Sequence, residues 1–232
     1  MPADAPALGI AMRDANITET TMFEAPARTS EEGTARASAR ITDFSEHWCR
    51  YGFGIYGAFD RKTEALVGYS GLRHIDEFDG DIHISTMVDR PFWSSGLGAE
   101  IIRLNLENGF LEQNFDVVYA TTRILEQASL RLMDTFGFIR QPDRMLRHWP
   151  VHYYVLPKEV FLARHVNYLK QCLKDLAEKS LAENGSGSSQ HPSQHPSQQL
   201  SAGNPADRNL AGDDASAARI ARNCSSGAVG LA

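Results

Sequence analysis

The stretch DRPFWSSGLGAEIIRL, Asp89 to Leu104, sets two serines and two glycines directly before an apolar run. Small residues at a strand-to-helix junction leave backbone N–H groups pointing outward at the helix N-terminus, where the dipole favours an anion such as a phosphate. A tight turn with no ligand is the plainer reading, and a lone G-x-G does not choose between them. Other residues with metal or redox chemistry are sparse. Cys49, Cys172 and Cys224 are far apart and odd in number, without C-x-x-C spacing, so they signal neither a disulfide framework nor a zinc site. His191 and His195 fall in the repeat QHPSQHPS inside a polar tract, where they are bystanders rather than ligands, and no metal is expected.

The turn needs a strand before it and a helix behind it, and the pattern supplies both. DIHISTMVD, Asp81 to Asp89, alternates as a strand does, and Ile101, Ile102 and Leu104 through Phe110 and Leu111 place a helix from Gly98 to about Gln113. Upstream, SEEGTARASARITDFSEHWCRYG opens with a Ser cap and Glu31 and Glu32 in the first turn, which predicts a helix to about Arg50. Two apolar runs around a polar turn at Asp60 to Thr63 then predict a hairpin, so three strands form an antiparallel meander. Downstream come a buried strand at Asp116 to Thr122 and a short helix ending at Gly137, where a left-handed cap belongs. One or more strands follow, the last stopped by Pro157. The result is a mixed α/β domain with an antiparallel front and a helical crossover. Before it, residues 1–28 have little periodicity, with LGIAMRD (Leu8 to Asp14) the one candidate strand.

The chain of 232 residues has room for one ordinary domain and extensions. The extension 162–183 reads as a helix whose Val166, Leu169, Leu173 and Leu176 form a packing stripe, against the domain or a second copy, so a homodimer is one option. Residues 184–232 are nearly free of large apolar side chains and read as a disordered low-complexity tail. The net charge of −6, without a dense basic block, argues against nucleic acid and would suit a cationic partner. The start lacks a charged and apolar leader, and no stretch approaches membrane-spanning length; with the cysteine usage, this predicts a soluble protein of the cytoplasm.

Four stretches in order carry a resemblance. HWCRYGFGIYGAFDRKTEALVGYSGL is similar to a W-x-x-x-G-F-G, hairpin and I-G-x-x-G-L signature, and VDRPFWSSGLGAE to V-x-P-x-x-W-G-x-G-x-A-T-E, with Val88, Trp93, Gly96, Gly98 and Glu100 in matching places. EQASLRLMDTFGF is similar to N-x-x-S followed by a helix and L-G-F, and VHYYVLPKEVF to a closing strand. Over about Ser30 to Phe161 the chain resembles the GNAT family of N-acetyltransferases, in the branch that includes ribosomal-protein N-terminal acetyltransferases. The resemblance implies an acyl-CoA N-acyltransferase fold, α/β (α+β) in class, with a twisted, mostly antiparallel sheet flanked by helices. It bounds the domain at 29–161, with the opening strand and first helix reduced.

It also implies acetyl-coenzyme A as cosubstrate and direct transfer to a primary amine, of a protein N-terminus or a small molecule. The pyrophosphate would lie on Trp93, Ser94, Ser95, Gly96, Leu97, Gly98 and Ala99, and the pantetheine arm along Met87 and Val88. Ser129 would stand beside the thiol, with Glu126 close by. A backbone N–H near Val88 would serve the oxyanion. His83 shares a strand face with Ser85 and Met87 and could act as base, or be structural. Ser129 could relay a proton to the thiolate, or be a helix N-cap, or both. Of Tyr153 and Tyr154, alternation lets only one face a cleft, one being core and the other rim.

The sequence departs from the family pattern at several places. Met133 stands where many relatives of this fold carry a tyrosine acid, Ser94 replaces a glycine, and Glu126 replaces an asparagine. Impaired turnover is therefore an alternative: an acyl-CoA-binding or interaction protein of the same fold. A Rossmann domain is excluded, because its glycine motif would follow the first strand of a parallel unit and carry a third glycine.

Overall fold

The helix after Thr29 forms because its cap and its apolar stripe agree. In the computed structural model, which describes residues 2–124, 126–185 and 218–221, it spans Ser30–Tyr51. The Thr29 hydroxyl, rather than a Ser30 cap, accepts from the Glu32 N–H, and the Glu32 carboxylate accepts from the Arg28 N–H. Ala37, Ile41, Phe44 and Trp48 make the buried face, and Gly52 ends the helix in the left-handed region (φ 74°).

LGIAMRD is not a strand. It lies in and just after a helix, α1 (Ala5–Ala11), with proline in its first turn; a one-turn helix, α2 (Ala15–Ile17), and a π-type turn, Thr18–Met22, follow. Ala5, Leu8, Gly9 and Met12 bury one face at helical spacing. The Ser30–Tyr51 helix is α3, and the two cross backbone to backbone: a Cβ on Gly33 would lie 2.5 Å from the Gly9 carbonyl oxygen. A seven-residue apolar window with no flanking pattern cannot distinguish this from a strand. The N-terminal segment belongs to the same compact unit as residues 29–162.

The meander is as expected. β1 (Ile55–Asp60), β2 (Leu66–Ile75) and β3 (Asp81–Val88) are antiparallel neighbours. α4 (Leu97–Glu107), continued by a π-type turn at Asn108–Glu112, crosses over to β4 (Val117–Arg123), and α5 (Gln127–Phe136) ends at Gly137. A hairpin closes the fold, β5 (Ile139–Leu146) and β6 (Trp149–Pro157), with β6 paired to β4. Ala218–Ala221, within the stretch read as a disordered tail, pair with β1 as β7; the rest of residues 186–232, with His191, His195 and Cys224, lies outside the described residues. The sheet order is β5-β6-β4-β3-β2-β1-β7.

Two apolar layers clamp the sheet. Ile102, Leu106, Phe110 and Met133 of the α4 and α5 layer meet Ile84, Val118 and Leu156 on one face. Leu8, Met12, Ile41 and Phe44 meet Ile55, Tyr69 and Met87 on the other. Tyr153 and Tyr154 are both core, not one core and one rim. α6 (Lys158–Gly185) begins with Phe161 stacked on Phe110; from Ala163 it belongs to a second unit, where Val166, Leu169 and Leu173 are exposed within the single chain. No helix among the described residues is long and apolar enough to cross a membrane.

Candidate functional site

β3 and β4 are parallel neighbours with one paired position, His83 opposite Tyr119. Beyond it their C-terminal ends part, so the β4-facing edge of Ile84 to Val88 is free of a strand partner. A cleft of about 220 Å³ opens there, floored by Ile84, Thr86 and Val88 of β3 with Ala120 and Thr122 of β4, and walled by α4 and α5. Apolar walls around a free strand edge suit an extended chain that pairs by its amides.

At one end of this cleft stands the Ser-Ser-Gly-Leu-Gly turn. A 3-10 turn at Arg90–Phe92 leads into Trp93, whose indole N–H donates to the Val88 carbonyl at 2.8 Å and ties the turn to the end of β3. Ser94 takes φ +62° and Gly96 φ +89°, so the loop needs the left-handed region twice and places a serine in one of those positions. The Ser95 hydroxyl donates to the Phe92 carbonyl and accepts from the Leu97 N–H, which commits it to holding the loop. Gly96 is the N-cap of α4 and offers no side-chain cap. The first-turn N–H groups of Gly98 and Ala99 have no intrahelical acceptor. Gly98 lines the cleft, and a Cβ there would sit 3.9 Å from both Val88 and Leu132. Leu97 and Ala99 point into the core instead, so only their backbone is available at the loop.

At the other wall, Glu126 and Ser129 both line the cleft. Glu126, not Ser129, is the N-cap residue of α5, and its side chain makes no capping bond. Ser129 is one helical turn before Met133 on the same face, and its hydroxyl makes no hydrogen bond among the described residues. Met133 is buried beneath. Met87 keeps its side chain in the core on the far face of the sheet, so only its backbone is available at the splay.

His83 is not brought to the cleft. Strand alternation gives the cleft Ile84, Thr86 and Val88, and turns His83 to the other face, where it is 1 % exposed. It stacks between Phe78 (centroids 5.0 Å apart) and Tyr119 (5.7 Å), and neither ring nitrogen has a hydrogen-bond partner. Burial, with the nearby cations Arg144 and Arg73, lowers its pKa to about 3. A neutral imidazole of such low basicity, sealed in an aromatic box, is a core residue rather than a general base.

A second, smaller cavity of about 120 Å³ lies on that other face and was not foreseen from the sequence. It shares Thr21 and Thr86 with the cleft, so the two meet where β3 and β4 part. Thr86 is held there by a hydrogen bond of 2.7 Å to the buried Ser70 hydroxyl. Its walls come from the Thr18–Met22 turn, α3, β2 and the β5–β6 hairpin, with Arg40, Arg73, Arg147 and Glu77 as charged groups. Arg40 is held by Glu24 at 2.6 Å and donates to the Tyr69 hydroxyl at 3.3 Å. The missing signal was long range: these side chains lie far apart in the chain and share no local pattern.

The comparisons with known proteins bear on the family and the fold. A family model described as an acetyltransferase (GNAT) domain matches residues 1–139. The uncharacterized N-acetyltransferase p20 of Bacillus licheniformis is 24% identical over 89 residues, 38% of this chain; the chain spans about half (49%) of that relative's length. Among solved structures, spermidine N-acetyltransferase from Vibrio cholerae, in complex with CoA and spermine, superposes with TM-score 0.55 at 15% identity, covering 69% of this chain and 93% of that one. Ribosomal-protein-S5-alanine acetyltransferase from Vibrio fischeri gives TM-score 0.54 at 12% identity, covering 68% and 89%. At these identities the structures speak for the fold alone, which is that of an acetyltransferase with an open, mostly antiparallel sheet. With a family model covering more than half of its length, the chain belongs to the GNAT acetyltransferases.

Proposed function

We propose that this protein is an N-acetyltransferase that moves the acetyl group of acetyl-coenzyme A directly to a primary amine. The observation that supports it best is the pair of cavities on opposite faces of the sheet, meeting at Thr21 and Thr86 through the parting of β3 and β4. One is suited to a donor that ends in phosphates, the other to an acceptor.

The residues present fit coenzyme A. The unpaired first-turn amides of α4 and the bare Gly98 would take the pyrophosphate. The open edge of β3 at Met87 and Val88 would pair with the pantetheine amides. The thioester supplies an activated acetyl carbonyl. In the transfer, the amine nitrogen bonds to the acetyl carbonyl carbon, the C–S bond breaks, the sulfur leaves with the electron pair and gains a proton, and the nitrogen loses one. Ser129 has the free hydroxyl on the donor side to pass a proton to sulfur. On the acceptor side the opening is lined by Thr21, Thr86 and Thr121, whose hydroxyls would pass the amine's proton outward.

Glu126 favours a second reading, an acyl-CoA-binding protein of impaired turnover, because it sets a carboxylate against the donor cleft. Two measurements separate them. Coenzyme A and acetyl-coenzyme A should raise the melting temperature, as ligands selective for the folded state do. Thiol release from acetyl-coenzyme A should then depend on an added amine; binding without release from any amine in a broad panel would leave only the second reading.

A further inference from the structure

We infer that the acceptor amine carries a carboxylate, which the arginines of the acceptor cavity receive. This rests on the transferase reading above and names the class of its acceptor. Three guanidinium groups, Arg40, Arg73 and Arg147, line the cavity against one carboxylate, Glu77. The acids that pair with two of them, Glu24 and Asp43, are not among its lining residues.

The three arginines are not equally free. Arg40 is occupied by Glu24 and Tyr69. Arg73, 30 % exposed, meets the 63 % exposed carboxylate of Asp43 at 3.6 Å, and among the described residues only its Nε has another hydrogen-bond partner, donating to the His74 carbonyl at 3.5 Å, which leaves its terminal nitrogens to a ligand; Arg147 meets Glu77 at 3.9 Å with both side chains open to solvent. Contacts of this length and exposure contribute little, so the two forks can turn to a ligand at small cost. A planar fork matches a carboxylate with two parallel N–H donors, which a primary amine cannot satisfy. A polyamine would instead bring further cations against the arginines with Glu77 alone to receive them. The overall charge of −6 suggests a cationic acceptor, and the local lining of the cavity reverses that expectation.

The carboxylate has two sources: the α-carboxylate of a free amino acid, or the side chain of an acidic residue at a peptide N-terminus. Both bring an amine and a carboxylate within one residue of each other. The experiment measures thiol release from acetyl-coenzyme A by the full chain with four kinds of amine. These are free α-amino acids, the same amino acids as carboxamides, C-terminally amidated peptides beginning with Asp or Glu beside their Asn or Gln counterparts, and spermidine. In at least one matched pair, the carboxylate member should exceed the neutral member in kcat/KM by about tenfold or more, as loss of a charge-assisted pair demands. Which pair responds identifies the source.

Arg147→Glu should erase or invert that preference, and Arg73→Gln should raise KM for the carboxylate acceptor more than it lowers kcat. Both variants should keep the melting-temperature shift given by coenzyme A, which shows that they are folded with an intact donor cleft. Equal rates across every matched pair, or turnover of spermidine and carboxamides in preference to carboxylates, would overturn this inference and leave the transferase reading standing. Coenzyme binding with no release from any amine would remove that reading, and this inference with it.

Discussion

The two faces of the sheet are built by different means. The face proposed for the donor offers backbone and small groups: unpaired amides at the start of α4, a missing Cβ at Gly98, an open strand edge, and the Ser129 hydroxyl, all from β3 to α5. The face proposed for the acceptor presents long charged side chains delivered from four separate segments. A site made of main chain tolerates change in most side chains and fails when a glycine is filled. One made of arginine forks holds its shape loosely and can change partner with a single substitution.

The strongest way to break this contrast is to fill the donor cleft. Gly98→Leu would project a side chain between Val88 and Leu132, where the bare α-carbon now leaves room. Glycine at this position has no left-handed torsion to protect, so the fold should survive. We expect the affinity for coenzyme A to fall about a hundredfold or more, some 2.7 kcal/mol, with the unliganded melting temperature nearly unchanged. Calorimetric titration checks the first and thermal unfolding the second. Unchanged affinity would move the donor site elsewhere.

His83 tests the other face. Its pKa is lowered to about 3 in the folded protein, while the unfolded chain titrates near the ordinary imidazole value of 6.5. Below pH 6.5 the unfolded state therefore binds the proton that the folded state refuses. The stability this neutral ring preserves is complete above pH 6.5 and is lost as pH falls toward 3, at no more than about 1.4 kcal/mol per pH unit. His83→Phe, which can stack between Phe78 and Tyr119, should flatten that slope between pH 6.5 and 5 in denaturant titrations. It should also retain turnover. Loss of turnover with coenzyme binding and stability intact would restore His83 as the base and make the acceptor face a catalytic surface.

How far each face could be read from sequence follows from the same contrast. The cleft proposed for the donor could be read because its parts are contiguous: an alternating strand, a glycine turn and a helix, with Ser129 in the next motif along. The register on that strand was legible as well, since His83, Ser85 and Met87 do share a face; alternation alone does not say which face holds the cleft. The N-terminal segment was misread because Leu8 to Asp14 offer too few apolar residues to separate a helical period from a strand. The arginines were invisible as a group, because Arg40, Arg73 and Arg147 meet only once α3, β2 and the hairpin are folded together.

Trp93 offers a smaller test of how much the donor loop depends on a side chain at all. Its indole N–H holds the Val88 carbonyl, yet the ring is 42 % exposed. Trp93→Ala should weaken coenzyme A binding about tenfold, the worth of one hydrogen bond and some lost stacking area. Trp93→Phe should keep the area and lose the bond, recovering only part of the affinity.

The smallest expected effect is at Glu126, where two effects of one carboxylate differ in sign. This carboxylate lines the donor cleft, where a polyphosphate would meet like charge, and it also begins α5, where a negative charge favours the helix dipole. Glu126→Gln should therefore act in opposite directions on the two measurements. Coenzyme A should bind about threefold more tightly at low ionic strength, with the gain shrinking as salt screens the repulsion. The unliganded protein should lose a few tenths of a kcal/mol, as expected for one half-buried charge at a helix start. A variant that binds coenzyme A more weakly would mean that the Glu126 side chain serves the donor through a hydrogen bond. Its charge would then be a working part of the cleft, not a burden that the cleft carries.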